Sequence, residues 1–206
     1  MNENFERICF AHYHEIGLKG KNRSYFELAL LRNIEKILQN EGHKNFSIKR
    51  ISGRILILLD KTYDKEKSND VLNLIKNIPG CARVSSGFKC SQNVESMVEA
   101  GCLIMSEYGA ENGDVESFKV QARRNHTNFE LDSMQINQIV GGKISDAFPN
   151  VKVKMKDPSL EIHIEVIEGA CYLYANSLVG IGGLPVGTGG KLVSMLSSGI
   201  DSPVAM

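Results

Sequence analysis

The sequence carries no net charge: 24 Lys and Arg balance 24 Asp and Glu over 206 residues. A surface that holds a phosphate backbone must be positive, so the totals argue against a nucleic-acid partner unless the charge is segregated along the chain. The sequence also lacks any apolar run of 18 or more residues, the length a membrane-spanning helix needs. Its opening, Met1-Asn-Glu-Asn-Phe-Glu-Arg7, has neither the basic head nor the apolar segment of a signal peptide, and we expect a cytoplasmic chain. Five cysteines, Cys9, Cys81, Cys90, Cys102 and Cys171, form no C-x-x-C pair. An odd, scattered set gives neither a disulfide framework nor a metal-ligand pattern, so they read as buried thiols and no metal site is expected. A Walker A loop is missing too: the Gly-Gly-Lys at 189–191 has Pro185 where the first glycine belongs and Leu192 in place of Ser or Thr.

What is present is segregated charge in an ordinary globular composition. Hydrophobic residues make up 42% of the chain, enough for one large or two small cores. From His12 to Arg54 nine Lys and Arg face four acids, and from Val115 to Lys156 seven face four. These two basic regions are either solvated faces or a split phosphate-binding surface.

Periodicity places elements along the chain. Arg7 to Ala11 reads as a strand, and the loop after it holds Lys19, Lys21 and Arg23, the first candidate phosphate contacts. Ser24-Tyr-Phe-Glu27 has the form of a capping box, ahead of a helix whose Phe26, Leu30, Ile34, Ile37 and Leu38 share a face and which Gly42 stops. Ser52-Gly53 between two apolar runs signals a hairpin that presents Arg54. The charged run 60–69 reads as an exposed passage, and a short helix over Asp70 to Asn77 would close a βαββα layer. Cys81 to Lys89 is a predicted strand and Val94 to Tyr108 a predicted helix. Phe118, Val120 and Ala122 alternate with Lys119, Gln121 and Arg123, a half-buried strand that leads to Arg124, Asn125 and His126. Asp132 caps a helix to Phe148; its Gly141-Gly142-Lys143 costs about 2 kcal/mol in helix propensity and points to close backbone approach. Val151 to Lys156 alternates, with Lys152, Lys154 and Lys156 on one face, and two strands then pair around Glu168-Gly169-Ala170.

The last stretch joins an apolar run, Leu192, Val193, Met195 and Leu196, to Ser197-Ser198-Gly199-Ile200-Asp201-Ser202-Pro203. This reads as buried strand, tight turn and helix start, an order that aims backbone N–H groups at an anion, although Asp201 or Ser202 would serve equally as a plain helix cap.

Leu196-Ser-Ser-Gly-Ile-Asp-Ser-Pro203 resembles the PP-loop, Ser-Gly-Gly-x-Asp-Ser, of the ATP pyrophosphatase superfamily. The connector Gly182-Gly-Leu-Pro-Val-Gly-Thr-Gly-Gly-Lys191 resembles the one that precedes it in the bacterial tRNA 4-thiouridine synthetase (tRNA sulfurtransferase) family. His12-Tyr-His-Glu-Ile16 with Lys19-Gly-Lys-Asn-Arg23 is similar to that family's opening block, and Phe118-Lys-Val-Gln-Ala-Arg-Arg-Asn-His126 looks like part of a THUMP RNA-binding domain. The resemblance implies an α+β chain: a ferredoxin-like N-terminal domain (1–65), an α/β THUMP domain (66–177), a Gly-rich linker (178–190) and the first residues (191–206) of a Rossmann-like PP-loop domain. It implies that ATP, with Mg²⁺, meets Met195, Leu196, Ser197, Ser198, Gly199, Asp201 and Ser202. It implies that a tRNA acceptor region meets Lys19, Lys21, Arg23, Arg54, Lys119, Arg123, Arg124 and Lys143. In the family, uridine 8 is adenylated and its O4 replaced by sulfur from a persulfide, which also supplies the thiamine thiazole. The expected further partners are a cysteine desulfurase or other persulfide donor and a second copy of the chain. No catalytic residue is expected among these 206, the persulfide cysteine being expected downstream, so the chain alone is expected to be the inactive, tRNA-binding half. Ser198 stands where the motif has its first Gly, and a Cβ there is expected to strain the loop. A non-catalytic tRNA-binding module is the alternative from another class; a THUMP-bearing methyltransferase or deaminase would lack the PP-loop string.

Overall fold

The computed structural model describes residues 5–125, 129–167, 169–191 and 193–205. Among them eight strands form one continuous sheet: β1 (Glu6–His12), β2 (Phe46–Ile51), β3 (Arg54–Leu59), β4 (Arg83–Cys90), β5 (Ser117–Arg124), β6 (Lys152–Val153), β7 (Leu160–Ile167) and β8 (Ala170–Val179). Five helices accompany it, α1 (Arg23–Asn40), α2 (Lys65–Ile75), α3 (Val94–Asn112), α4 (Ser133–Ala147) and the short α5 (Asp201–Ala205). A 3-10 helical stretch, Glu15–Asn22, links β1 to α1. Strand order is β2-β3-β1-β4-β8-β7-β5-β6. The first four strands with α1 and α2 make a βαββαβ, ferredoxin-like unit; the others, with α3 and α4, make a second unit joined to it by antiparallel pairing of β4 with β8.

All helices of the two units lie on one face of this sheet. Leu30, Ile34 and Leu38 of α1 and Val71, Leu72 and Ile75 of α2 pack on Cys9, Ala11, Ile55 and Ile57. Met97, Ala100 and Ile104 of α3 and Ile136, Val140 and Ile144 of α4 pack on Phe118, Val120, Ile162, Ile164 and Leu173. The opposite face has a third cluster, Ile8, Phe10, Leu56, Ile167, Tyr172 and Tyr174, with no helix over it among the described residues.

That cluster exists because the sheet folds onto itself at β4. Between β3 and β7 lie four strand spacings, about 19 Å in a flat sheet. Yet Arg54 of β3 is ion-paired with Glu165 of β7. On the helix-free face β4 contributes Ser85 and Gly87, opposite Phe10 and Ile8, and its pairing with β8 slips at Val84/Ser86. A Cβ on Gly87 would lie 1.9 Å from the Leu173 carbonyl oxygen. Missing side-chain bulk and a bulge together allow the crease.

Local signals fared unequally. The hairpin turn at Ser52-Gly53 forms, with φ of 45° and 81° as a type I′ turn requires. The Asp132 to Gln135 capping box is complete. Ser24 caps nothing: α1 begins one residue earlier, and the Ser24 hydroxyl accepts from Arg50. The charged run 60–69 is half helix, because Asp64 accepts from the Lys67 N–H and starts α2 at Lys65. Gly141 and Gly142 do not bring backbones together: a Cβ at Gly142 would meet nothing within 4 Å, and α4 runs through both. Only Lys152–Val153 of the alternating lysine run is strand. Val193, Met195 and Leu196 form no strand and are exposed, Leu192 lying outside the described residues. A buried strand requires neighbours on both edges and a cover, and none of the eight strands pairs with this run.

Candidate nucleic-acid interface

Most of the cations read from sequence fall into two groups. The first surrounds the turn between β2 and β3. Arg23 donates from Nε to Glu27 (2.8 Å) and from Nη2 to the Tyr13 hydroxyl (2.8 Å). The Tyr13 hydroxyl also bonds Glu27, and burial first, then that carboxylate, pushes Tyr13 up to about 12. Arg50, exposed on β2, donates to Ser24 (2.7 Å) and Glu27 (3.3 Å). Glu27 thus fixes two guanidiniums side by side, with Gly53 of the turn against the Arg23 head. Lys21 is exposed on the 3-10 stretch, and Lys19 lies with Nζ 5.0 Å from the centre of the Phe26 ring.

The second group is on β5. Lys119, Gln121 and Arg123 face away from the helices, in register with Glu161, His163 and Glu165 of β7. Lys119 is paired with Glu161 at 3.0 Å. Arg123 is exposed, one strand spacing from Glu165. Arg124 points the other way and donates to the backbone carbonyls of Phe129 (2.9 Å) and Leu131 (3.3 Å), which holds the loop rather than presenting a charge. His126 lies outside the described residues. Lys143, on α4, is 3.8 Å from Glu95 on the helix-covered side, away from Arg123.

Arg54 belongs to neither group as a surface contact: it is 7% exposed. Its guanidinium pairs with Glu165 and lies 5.4 Å above the Phe10 ring, so it is spent in the interior. Glu165 also accepts from the Tyr174 hydroxyl (2.7 Å), on whose ring His163 stacks at 5.0 Å. Removing one member of a buried pair costs about 3–5 kcal/mol, because the other charge stays buried alone. Arg54 pairs with Glu165, which is in register with Arg123, so on the helix-free face this pair joins a strand of the first basic region to the strands of the second; Arg50, opposite Ile55, faces the helix-covered side with Arg23 and Glu27. Sequence reading missed Lys49 and Arg50 as members; alternation along β2 marks Lys49, opposite Leu56, as facing the helix-free side.

The C-terminal loop is of a different kind. Met195, Leu196, Ser197, Ser198, Gly199 and Asp201 are exposed and Ser202 nearly so. The Ser197 and Ser202 hydroxyls pair with each other at 2.6 Å, and the Gly199 N–H donates to Ser197. Ser198 is not among the described non-glycine residues with positive φ, so the expected strain is not found. These residues by themselves do not build a nucleotide pocket. Among the thiols, burial pushes Cys9 and Cys81 up to about 12, and a hydrogen bond with Cys90 followed by burial raises Cys171.

Residues 8–85 match the ThiI ferredoxin-like domain and residues 92–176 the THUMP domain. Proteins named "Probable tRNA sulfurtransferase" from Streptococcus sanguinis and Natranaerobius thermophilus are each 39% identical over 94% of this chain. The chain spans about half the length of these curated relatives, 46% in both. A solved 4-thiouridine synthetase, in complex with RNA and bound ATP, superposes with a TM-score of 0.79 at 36% identity, over 97% of this chain and 48% of that one. A protein of Pyrococcus horikoshii superposes at 0.78 and 28% identity, over 89% of this chain and 58% of that one. The chain thus carries a ThiI ferredoxin-like domain followed by a THUMP domain, and over nearly its full length it is similar to about half the length of proteins named tRNA sulfurtransferases.

Proposed function

We propose that this chain is the RNA-holding part of a tRNA sulfurtransferase that makes 4-thiouridine at uridine 8 and supplies sulfur for the thiamine thiazole. The observation that carries the reading is that Lys49 and Arg123, one from each basic region, lie on the same helix-free face of a sheet closed by the Arg54–Glu165 pair, in a chain whose solved relative is a 4-thiouridine synthetase bound to RNA. Lys49 and Arg123 contact phosphates of the acceptor region on that face, and Lys21, Arg23 and Arg50 do so around the β2–β3 turn, with Lys19 beside them. Arginine forks suit phosphate oxygens, and Glu27 presets two of them. Lys119 and Lys143 contribute through partly neutralised charges, and Arg54 and Arg124 act by holding the surface in shape. Exposed Tyr25, next to Ser24 on α1, offers a flat face for an unpaired base.

ATP is the co-substrate of the same proposal, because the bound nucleotide of the solved relative agrees with the PP-loop string at 196–203. ATP activates the uridine oxygen for displacement by sulfur; Met195 to Ser202 contribute loop N–H groups and hydroxyls to its phosphates only once other protein surface covers them. Mg²⁺, a persulfide donor such as a cysteine desulfurase, and pairing of two copies complete the reading, as the family resemblance implies. A non-catalytic tRNA-binding module uses the same surface.

Fluorescence titration of the 206-residue chain with a tRNA acceptor-stem hairpin at two salt concentrations, with and without ATP, tests the reading. Binding that weakens steeply with salt and ignores ATP is the expected result. Absence of binding, or binding indifferent to salt, contradicts it.

A further inference from the structure

After β8 the chain does not leave the molecule. It turns back over the first unit and is fixed there by backbone bonds: Gly180 N–H to Ala82 carbonyl (3.0 Å), Ile181 to Lys76 (3.1 Å), Gly182 to Cys81 (2.8 Å), and Gly80 N–H to the Gly182 carbonyl (2.7 Å). The approach is so close that a Cβ on Gly180 would lie 2.2 Å from the Cys81 carbonyl oxygen. Pro185 is buried against Gly80, and Asn33 of α1 donates from Nδ2 to the Val186 carbonyl (3.1 Å). A stretch that reads as a glycine-rich linker is therefore an ordered strap across the ferredoxin-like unit.

One anchor of the strap is a carboxylate. Glu15 Oε1 accepts from the Gly183 N–H at 3.1 Å. Bonds from its own backbone N–H and from Gly183 hold its carboxyl below the usual range, so it is ionised at neutral pH. Glu15 opens the 3-10 stretch that carries Lys19 and Lys21 and ends against Arg23. Glu15 and Lys19 lie on the first part of this eight-residue stretch, and a kink at Gly20 (φ 51°, ψ −124°) leads from them to Lys21 and Arg23, so the strap anchor and the proposed RNA contacts are only a few residues apart.

We propose that Glu15 is a positioning residue that docks the connector onto the turn bearing Lys19, Lys21 and Arg23, so that RNA held by those cations fixes the point and direction in which the chain leaves the ferredoxin-like unit. The coupling half of this statement rests on the RNA-binding reading above; the anchoring half does not. The device matters to a sulfurtransferase because residues following the strap must meet one nucleotide of a bound RNA, and a freely swinging linker would leave that meeting to chance.

Amide exchange followed by NMR on the 206-residue chain tests both halves. In the free protein, Glu15→Ala should speed exchange at Gly183 about tenfold while Glu15→Gln, whose side-chain oxygen still accepts, keeps most of the protection. On adding the acceptor-stem hairpin, protection of 180–186 should rise in the wild type and the Gln variant but not in the Ala variant, with the three affinities equal within about twofold. Unaltered Gly183 exchange in Glu15→Ala overturns the anchor. Hairpin binding to the wild type with no change in the strap overturns the coupling. If the wild type binds no hairpin, the RNA-binding reading and the coupling fall together, while the free-protein comparison still decides the anchor.

Discussion

His12 ends β1 half-buried, with Arg54, His163 and Arg83 opposing its charge and only Glu165 favouring it. Burial and then Arg54 lower its pKa to about 4, against an ordinary value near 6.5. The unfolded chain therefore takes up a proton between pH 6.5 and 4 that the folded chain refuses, and stability falls as pH drops through that window. His163, lowered chiefly by burial, acts in the same sense. Thermal melts from pH 7 to 4.5 should show a falling midpoint in the wild type and a flatter dependence in His12→Asn; parallel profiles would show that His12 does not contribute. The residues that determine this behaviour were only half legible in the sequence. Lys21 and Arg23 read from sequence as loop cations; Lys21 is exposed on the 3-10 stretch, while Arg23 opens α1 and is half-buried against Tyr13 and Glu27. Arg54 reads the same way, and nothing local reveals that its partner is Glu165, 111 positions away. Arg124 differs from Arg123 by strand alternation alone, which the sequence does show, although the carbonyls it serves depend on how the following loop closes.

At the level of elements, glycines separate what local propensity decides from what tertiary contact decides. Gly142 in α4 has open space around its Cα, so Gly142→Ala should stabilise by about 1 kcal/mol, the ordinary helix-propensity gain. Gly87 is the reverse case: a methyl group there meets the Leu173 carbonyl, and Gly87→Ala should cost about 3 kcal/mol or more, beyond common overpacking penalties. Chemical denaturation of the two variants checks this, and effects of the same sign would refute the crease at β4. Neither outcome could be read from sequence, where Gly141-Gly142 was the pair that signalled close approach and Gly87 passed as an interior strand residue. The same limit explains the end of the chain. An apolar run such as Leu192 to Leu196 states a preference for burial and does not supply the strands that would bury it.

The described residues form one creased sheet, and the crease, closed by Arg54 and Glu165, leaves Lys49 and Arg123 from its two units on one helix-free face. Elements and their order were legible because helix and strand periods are strong in this chain; the continuity of the sheet through β4 and β8 was not, since no local signal announces which edges will pair. The central claim is that cations from both units act on one RNA. It is tested most directly by the salt dependence of acceptor-stem hairpin binding for the wild type, Lys49→Ala, Arg123→Ala and the double variant. Each single substitution should weaken binding and shallow the log–log salt slope by about 1, and the double variant by about 2. A loss confined to one of the two singles, with the other indistinguishable from wild type, would contradict a shared surface.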